Sequence, residues 1–432
     1  MIGIIIALQS SADAPAGNRA LIRIAGITML ERVVRQMRKQ EISDITVLAP
    51  VDAPQELHTE AQRLSRKLKL NISVPADPAA SLSGRECALV QDASVIVDDR
   101  LPGEMVRRND SSLLALYMRE SVEETFADRT TAVDEQRVFG GIAILAADRC
   151  PALLKARDAQ QLSAALKDMC DAGVPVLNFQ DLPTYDYDMR REQRYFWYPV
   201  DSPGNNADAK RRLLDHAQKS VLDWPAWYIH RPIEKWIVFH LSETPITPNQ
   251  LTLINNLLAF PAVYFFATGQ HLAAFILALM VGVVDGLDGK TARIKVMTSQ
   301  FGRIEEVLDK IYENLWYGAM AWFIAGQADP FHAWIPWVLF GIILTLNMVD
   351  IVLGLIFKQA KGAQLDDFGE FERKFRVIGG RRNTYIWTVI PFYAAGFYFA
   401  GYVFIAAYAI ITFAIHTWRF GVNISQADAQ RQ

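Results

Sequence analysis

Three cysteines, Cys87, Cys150 and Cys170, are all that 432 residues contain, and their spacing matches no metal-ligand pattern. Without a secretory context they exclude a disulfide framework and read as reduced core residues. Internal repeats and low-complexity tracts are also missing, so no repeat architecture is expected. No basic leader precedes MIGIIIALQSS, and this short apolar run reads as a buried strand instead of a signal peptide. Net charge is nearly absent too: a formal −3, segregated by region, says little about partners, and no nucleic-acid partner is expected.

What the chain does have is an uneven distribution of apolar residues. Its length allows two or three domains. Residues 1–225 are a soluble mixture with scattered charges, whereas from about residue 250 long apolar runs alternate with short polar loops. A helix needs roughly 20 apolar residues to cross a bilayer core of ~30 Å. Six stretches qualify as expected spans: 250–268, 271–289, 306–326, 333–357, 383–400 and 402–420. Lys290, Arg293, Lys295 and Arg303 lie between the second and third, and seven Lys and Arg between the fourth and fifth. The alternate loops carry none, which places both termini on the cytoplasmic side of the inner membrane.

The expected layout is therefore a cytosolic α/β domain over residues 1–200, a linker with an amphipathic helix over 201–245, and an all-α six-helix membrane bundle over 246–432. The helix at 227–243, WYIHRPIEKWIVFHLSE, mixes Trp and Phe with His, Arg and Lys at helical spacing. Lying in the membrane interface explains that mixture; packing on the soluble domain is the alternative.

One stretch inside the greasy half needs a reason. VVDGLDGKTARIKVMTSQFGRIEEVLDK (283–310) places Asp285, Asp288, Glu305, Glu306 and Asp309 at the edge of two spans. Such groups cost ~2.5–3.5 kcal/mol each to insert, so a cluster implies a compensating partner. Asp285 and Asp288 are three apart and Glu305 and Asp309 four apart, so on helices each pair projects from one face. The short loop between them makes the two helices antiparallel neighbours, with both acidic pairs at the cytoplasmic end. Carboxylates this close repel unless protonated or bound to cations, and hard oxygen ligands suit Mg²⁺, Mn²⁺ or Ca²⁺. Salt bridges to Lys290, Arg293 or Arg303 are the plainer alternative. Gly286, Gly289 and Gly302 leave space for a ligand to approach the backbone, although glycines also serve plain helix packing.

These residues resemble a known family. Asp285-x-x-Asp288-Gly289-x-x-Ala292-Arg293, followed after eight residues by Gly302, looks like the signature of CDP-alcohol phosphotransferases. ITPNQLT (246–252) is similar to the P-N-x-x-T segment that opens the family's first span, where Asn249 and Thr252 would help hold the nucleotide diphosphate. After Gly302 the pattern departs: one register puts the last two acids at Glu306 and Lys310, the other at Glu305 and Asp309. The second supplies two carboxylates at helical spacing and is preferred; whether Glu305 or Glu306 is the third acid stays open.

The resemblance implies a reaction in which a hydroxyl displaces CMP from a CDP-alcohol to form a phosphodiester. It implies Mg²⁺ or Mn²⁺, as two ions, held by Asp285, Asp288, Glu305 or Glu306, and Asp309. Asp309 would also accept the proton of the attacking hydroxyl, and Arg293 would contact the diphosphate beside Gly289, Ala292 and Gly302. Arg376, Arg381 and Arg382, in the basic loop KFRVIGGRRN (374–383), would hold an anionic acceptor, or serve only as positive-inside charge. Asp350 and Asn347 line the same cavity or bond between helices. Dimerisation is common in the family, which makes a homodimer an expectation of the resemblance alone.

The first 200 residues alternate strand-like and helix-like pieces, a βαβ rhythm that indicates a mostly parallel sheet. RALIRIAGITMLERVVRQMRKQEISDITVLAP (19–50) looks like the early part of the sugar-phosphate nucleotidyltransferase fold. In bifunctional relatives such a domain makes the CDP-alcohol that the membrane half consumes. Here QSSADAPAGNRAL offers only Gly17 in the loop and Arg19 where that family has Lys, whereas a phosphate cradle wants glycines and cations. The expectation is a degenerate domain with a scaffolding, dimer-forming or regulatory role. Asp98 and Asp99 after a strand read as a turn before a metal site.

Three function classes remain: a metal-dependent membrane phosphotransferase, with or without synthesis of its own CDP-alcohol; an inactive relative that binds or assembles; and a cation transporter. The last wants acids near the bilayer midplane, and these cluster at helix ends.

Overall fold

The computed structural model describes residues 1–108, 110–186, 189–297 and 302–425. In the first 200 residues the strands are β1 (Ile2–Ile6), β2 (Arg23–Ile24), β3 (Ile27–Thr28), β4 (Asp44–Leu48), β5 (Asn71–Ser73), β6 (Cys87–Asp92), β7 (Val95–Val97), β8 (Leu113–Met118), β9 (Arg137–Ala146), β10 (Val176–Asn178), β11 (Tyr185–Asp186), β12 (Arg191–Glu192) and β13 (Trp197–Pro199). Seven of them form one sheet in the order β10-β8-β9-β6-β1-β4-β5, in which only β9 runs antiparallel to its neighbours. Every residue of β1, IGIII, is buried, as a central strand covered on both faces requires. The helices α1 (Met29–Lys39), α2 (Gln55–Leu68), α3 (Arg100–Arg108), α4 (Cys150–Leu154) and α5 (Ala159–Asp171) accompany the sheet. Thr28 caps α1 by accepting from the Glu31 amide. β7 stands outside this sheet and pairs antiparallel with β13.

The linker carries α6 (Asn206–His216) and α7 (Arg231–Leu241). The helical half consists of α8 (Pro248–Ala267), α9 (His271–Ile294), α10 (Gly302–Gln327), α11 (Ile335–Lys361), α12 (Glu370–Ile378), α13 (Arg382–Ala394) and α14 (Tyr398–Ser425). Five of these, α8, α9, α10, α11 and α14, have 20 residues or more and lie at expected places, but among the described residues only α8, α9, α11 and α14 are long and apolar enough to cross a membrane. The expected span 306–326 falls within α10, whose acids and Lys310 lower its hydropathy. The expected span 383–400 does not exist as one helix: α13 has 13 residues, contains Pro391, and ends before Gly396 at φ +80°. That is short of the roughly 20 residues a crossing needs. On α11 only 6% of the most apolar stretch is buried within the protein, so its apolar surface needs lipid or another chain.

The soluble domain rests on the helical half. Ile22, Ile24 and Met29 share one buried cluster with Leu213 and Leu214 of α6, Val238 of α7, Leu251 of α8 and Leu287 of α9. Arg35 Nη1 donates to the Lys295 carbonyl at 2.8 Å, and Lys295 Nζ to the Thr244 carbonyl at 2.6 Å. Gly26, at φ +76°, lies against the Ser242 carbonyl so closely that a Cβ would collide with it.

Candidate active site

The segment ITPNQLT builds the first wall. Thr247 caps α8 through a reciprocal pairing with Gln250, and Pro248 takes the first helical position. Asn249 is then half-buried on the first turn, and Thr252 lies buried one turn along. Thr252 Oγ1 donates to Asp288 Oδ2 at 3.0 Å, linking the first bundle helix to the acid motif of the second.

Asp285 and Asp288 occupy one face of α9, Glu305 and Asp309 one face of α10. Glu305 shares a hydrogen bond with Asp288 and lies within electrostatic reach of Asp285 and Asp309. Asp309 is close to Asp285, Arg382 and Tyr312, and its Oδ1 is buried without a partner among the described residues. Arg382 Nη2 donates to Asp285 Oδ2 at 2.7 Å, while its Nη1 donates to the Tyr312 hydroxyl. α8 packs along both α9 and α10, and α9 and α10 meet through the Asp288–Glu305 side-chain contact. The space between them is crossed by side chains.

The other expected residues fall in different places. Gly302 opens α10 and Glu306 lies on its second turn, but their side-chain surroundings lie outside the described residues. Gly286 makes room for the Glu234 carboxylate of α7, which a Cβ would strike, so this glycine serves helix packing. Gly289 lies under the Arg293 guanidinium, whose Nε donates to the Ala217 carbonyl of the linker at 3.0 Å. Ala292 is half-buried on the same turn. Arg376 and Arg381 both bind Asp366 in the loop before α12. Burial raises that carboxyl, but the two arginines and His416 outweigh burial and hold it below the usual carboxylate range. Asp350 pairs with His416 at 2.8 Å.

Glu234, Asn255 and Tyr312 were not among the expected site residues. Tyr312 is three residues after Asp309, so helical spacing alone puts them on one face. Asn255, buried on α8, donates to the Tyr312 hydroxyl at 3.4 Å and leaves its own Oδ1 without a partner. Glu234 forms a buried ion pair with Lys290 at 2.5 Å, a contact between distant segments that sequence spacing does not announce.

Among the described residues, no three Asp, Glu, His or Cys side chains are grouped tightly enough to hold a metal ion. The donor set nevertheless fits a divalent cation in kind. It offers hard carboxylate oxygens, one of them buried and unpartnered, and a Glu305–Asp288 contact that two anions make only with a proton or cation between them.

Apolar spans under a soluble α/β domain, with carboxylates converging at the helix ends, define an integral membrane protein with an acid-lined site. Residues 245–421 match the model of the CDP-alcohol phosphatidyltransferase family. Relatives include the "Bifunctional IPC transferase and DIPP synthase" of Aquifex aeolicus, 28% identical over 206 residues, which are 47% of this chain and 45% of that protein. The "Inner membrane protein YnjF" of Escherichia coli is 29% identical over 35% of this chain and 69% of its own length. The "Archaetidylinositol phosphate synthase" of Pyrococcus horikoshii is 40% identical over 19% of this chain and 44% of its own. The chain spans less than half the length of the bifunctional relatives it matches. A putative glucose-1-phosphate thymidylyltransferase structure from Bacillus anthracis aligns with 47% of this chain and 90% of its own, at 11% identity and a TM-score of 0.34.

Proposed function

We propose that the chain transfers a phosphoalcohol group from a CDP-alcohol to the hydroxyl of a second alcohol, releasing CMP. The observation that carries this reading is the convergence of Asp285, Asp288, Glu305 and Asp309 from two helices in a stretch that matches the CDP-alcohol phosphatidyltransferase family.

Asp285, Asp288 and Glu305 would hold divalent ions, with Asp309 completing the set. Such ions, when bound, neutralise the diphosphate and the departing CMP. Thr252 fixes the Asp288 carboxylate, and Arg382 fixes Asp285 and Tyr312. The unpartnered Asp309 Oδ1 is the acceptor for the proton of the attacking hydroxyl. As in other phosphoryl transfers, positioning and charge do most of the work. With Arg376 and Arg381 engaged by Asp366, Arg382 is the basic-loop residue within reach of the reacting groups.

Both termini on the cytoplasmic side belong to the same reading, supported by Lys and Arg confined to alternate loops. The interfacial position of α7 is supported by the exposure of Tyr228, Ile233 and Trp236 beside its contact with α9. A homodimer is supported by the uncovered apolar surface of α11. The name of the archaetidylinositol phosphate relative favours a phosphorylated polyol as acceptor or product. A second activity in the soluble domain would require nucleotide binding beside Arg19, whose side chain is occupied by the Ser10 and Arg129 carbonyls.

The test is CMP release from a panel of CDP-alcohols by the full chain, with and without Mg²⁺. Metal-dependent release that is lost in Asp309→Asn supports the reading, and no release from any CDP-alcohol favours the inactive relative.

A further inference from the structure

A cavity of about 490 Å³ lies where the soluble domain, the linker and the last turn of α9 meet. That size suits a small polar metabolite. Among the described residues, five Lys or Arg side chains and three Asp line it. The acids are largely committed. Asp98 is held by Arg100 at 2.9 Å and His216 at 3.1 Å. Burial raises the Asp98 carboxyl, but these two partners outweigh burial and keep it well below the usual carboxylate range. Asp99 accepts from Lys39 and Gln36.

Arg32 is different. It is 2% exposed, and among the described residues its guanidinium makes a single hydrogen bond, from Nη2 to the Ile24 carbonyl at 3.4 Å. Its Nε has no partner among the described residues. Burial pulls its pKa down to about 10 although Asp99 and Glu31 oppose the shift, so it remains charged at neutral pH. A buried cation without a bonded carboxylate is costly, and well-packed apolar side chains often replace buried charges without loss of stability. A second orphan lines the same cavity: Gln193, 8% exposed, gives its Nε2 to His216, but its Oε1 has no partner. Both side chains line the same cavity, one with an unbonded donor and the other with an unbonded acceptor among the described residues.

We propose that this interdomain cavity is a binding site for a phosphorylated polyol, with Arg32 bonding the phosphate and Gln193 a hydroxyl. Among the described residues none of the four clustered carboxylates lines the cavity, and the site needs no divalent ion.

The experiment is calorimetric titration of the full chain in detergent, with EDTA, using glycerol 3-phosphate, inorganic phosphate and glycerol as probes. Glycerol 3-phosphate should bind more tightly than inorganic phosphate, and glycerol should not bind. Arg32→Met should weaken glycerol 3-phosphate by at least about tenfold without lowering the Tm of the unliganded protein. A merely structural arginine would lower that Tm. Gln193→Leu should erase the preference for glycerol 3-phosphate over inorganic phosphate. Should Arg32→Met fail to fold, Gly103→Leu fills the cavity from α3, where a Cβ meets only Gln40 at 3.5 Å, and should abolish binding. Equal binding by wild type and these variants, no binding of any probe, or loss of binding in Asp285→Asn each overturns the proposal.

Discussion

Arg382, the first residue of α13, holds Asp285 of α9 across 2.7 Å and reaches the Tyr312 hydroxyl of α10 with its other nitrogen. One guanidinium thereby ties three helices around the acids. Arg382→Gln should lower kcat for CMP release by about ten- to a hundredfold, the loss of one or two charge-assisted hydrogen bonds, with the acceptor KM little changed. Steady-state kinetics with both substrates varied checks this, and a rise in acceptor KM alone would assign Arg382 to anion binding instead.

Asp309→Asn removes the proton acceptor while keeping the side chain's shape. CMP release should fall by about 10²–10⁴-fold. The variant's Tm in detergent should not drop, because Asn keeps an oxygen to accept the Tyr312 hydrogen bond and Oδ1 has no partner among the described residues.

Glu234 and Lys290 form a buried pair whose Glu234 carboxyl burial pushes up, although Lys290 pulls it down. Desolvation therefore rivals the pair's attraction. Lys290→Met alone should destabilise by roughly 3–5 kcal/mol by leaving Glu234 unpaired, whereas Glu234→Leu combined with Lys290→Met should recover most of the loss. Thermal unfolding of the wild type, both single variants and the double variant measures the coupling.

Glu31 in α1 is ion-paired with Arg35, Arg63 and Lys67. Burial raises its carboxyl, but these cations outweigh burial and lower it from an ordinary 4.5 to about 2. A folded-state value below the unfolded one stabilises above the unfolded value and is lost as pH falls toward the folded one. Glu31→Gln should therefore cost about 3 kcal/mol at neutral pH, with the gap to wild type closing from 4.5 down to about 2. Thermal unfolding of both proteins along a pH series provides the comparison.

Gly26 sits at φ +76° against the Ser242 carbonyl. Gly26→Ala should cost about 1–3 kcal/mol through strain and displacement. The loss should appear as faster hydrogen exchange at residues 242–246 and α1, where the soluble domain meets the helices.

Much of the architecture could be read directly from the chain. IGIII, TMLERVVRQMRKQ and DITVLAP became β1, α1 and β4, because continuous β-branched runs and helical apolar spacing are local signals. The turn inside the expected span 383–400 was harder to see, since an apolar stretch looks the same whether or not Gly396 bends it. The acids at 285, 288, 305 and 309 stood out as charges in a greasy region. Of their partners, Tyr312 follows Asp309 by one turn of α10, whereas Thr252 and Arg382 lie in separate segments that no spacing rule joins to it.

The amino-acid order alone determined that a soluble α/β half precedes apolar helices and that each acidic pair shares a helical face, because periodicity and hydropathy act over a few turns. Only the tertiary structure decided that α8 packs along both acid-bearing helices, that Arg293 turns to the linker, and that Arg32 and Gln193 meet in one cavity. Those outcomes depend on how whole elements pack, and packing is set by the shapes and charges of surfaces that meet only after the chain has folded.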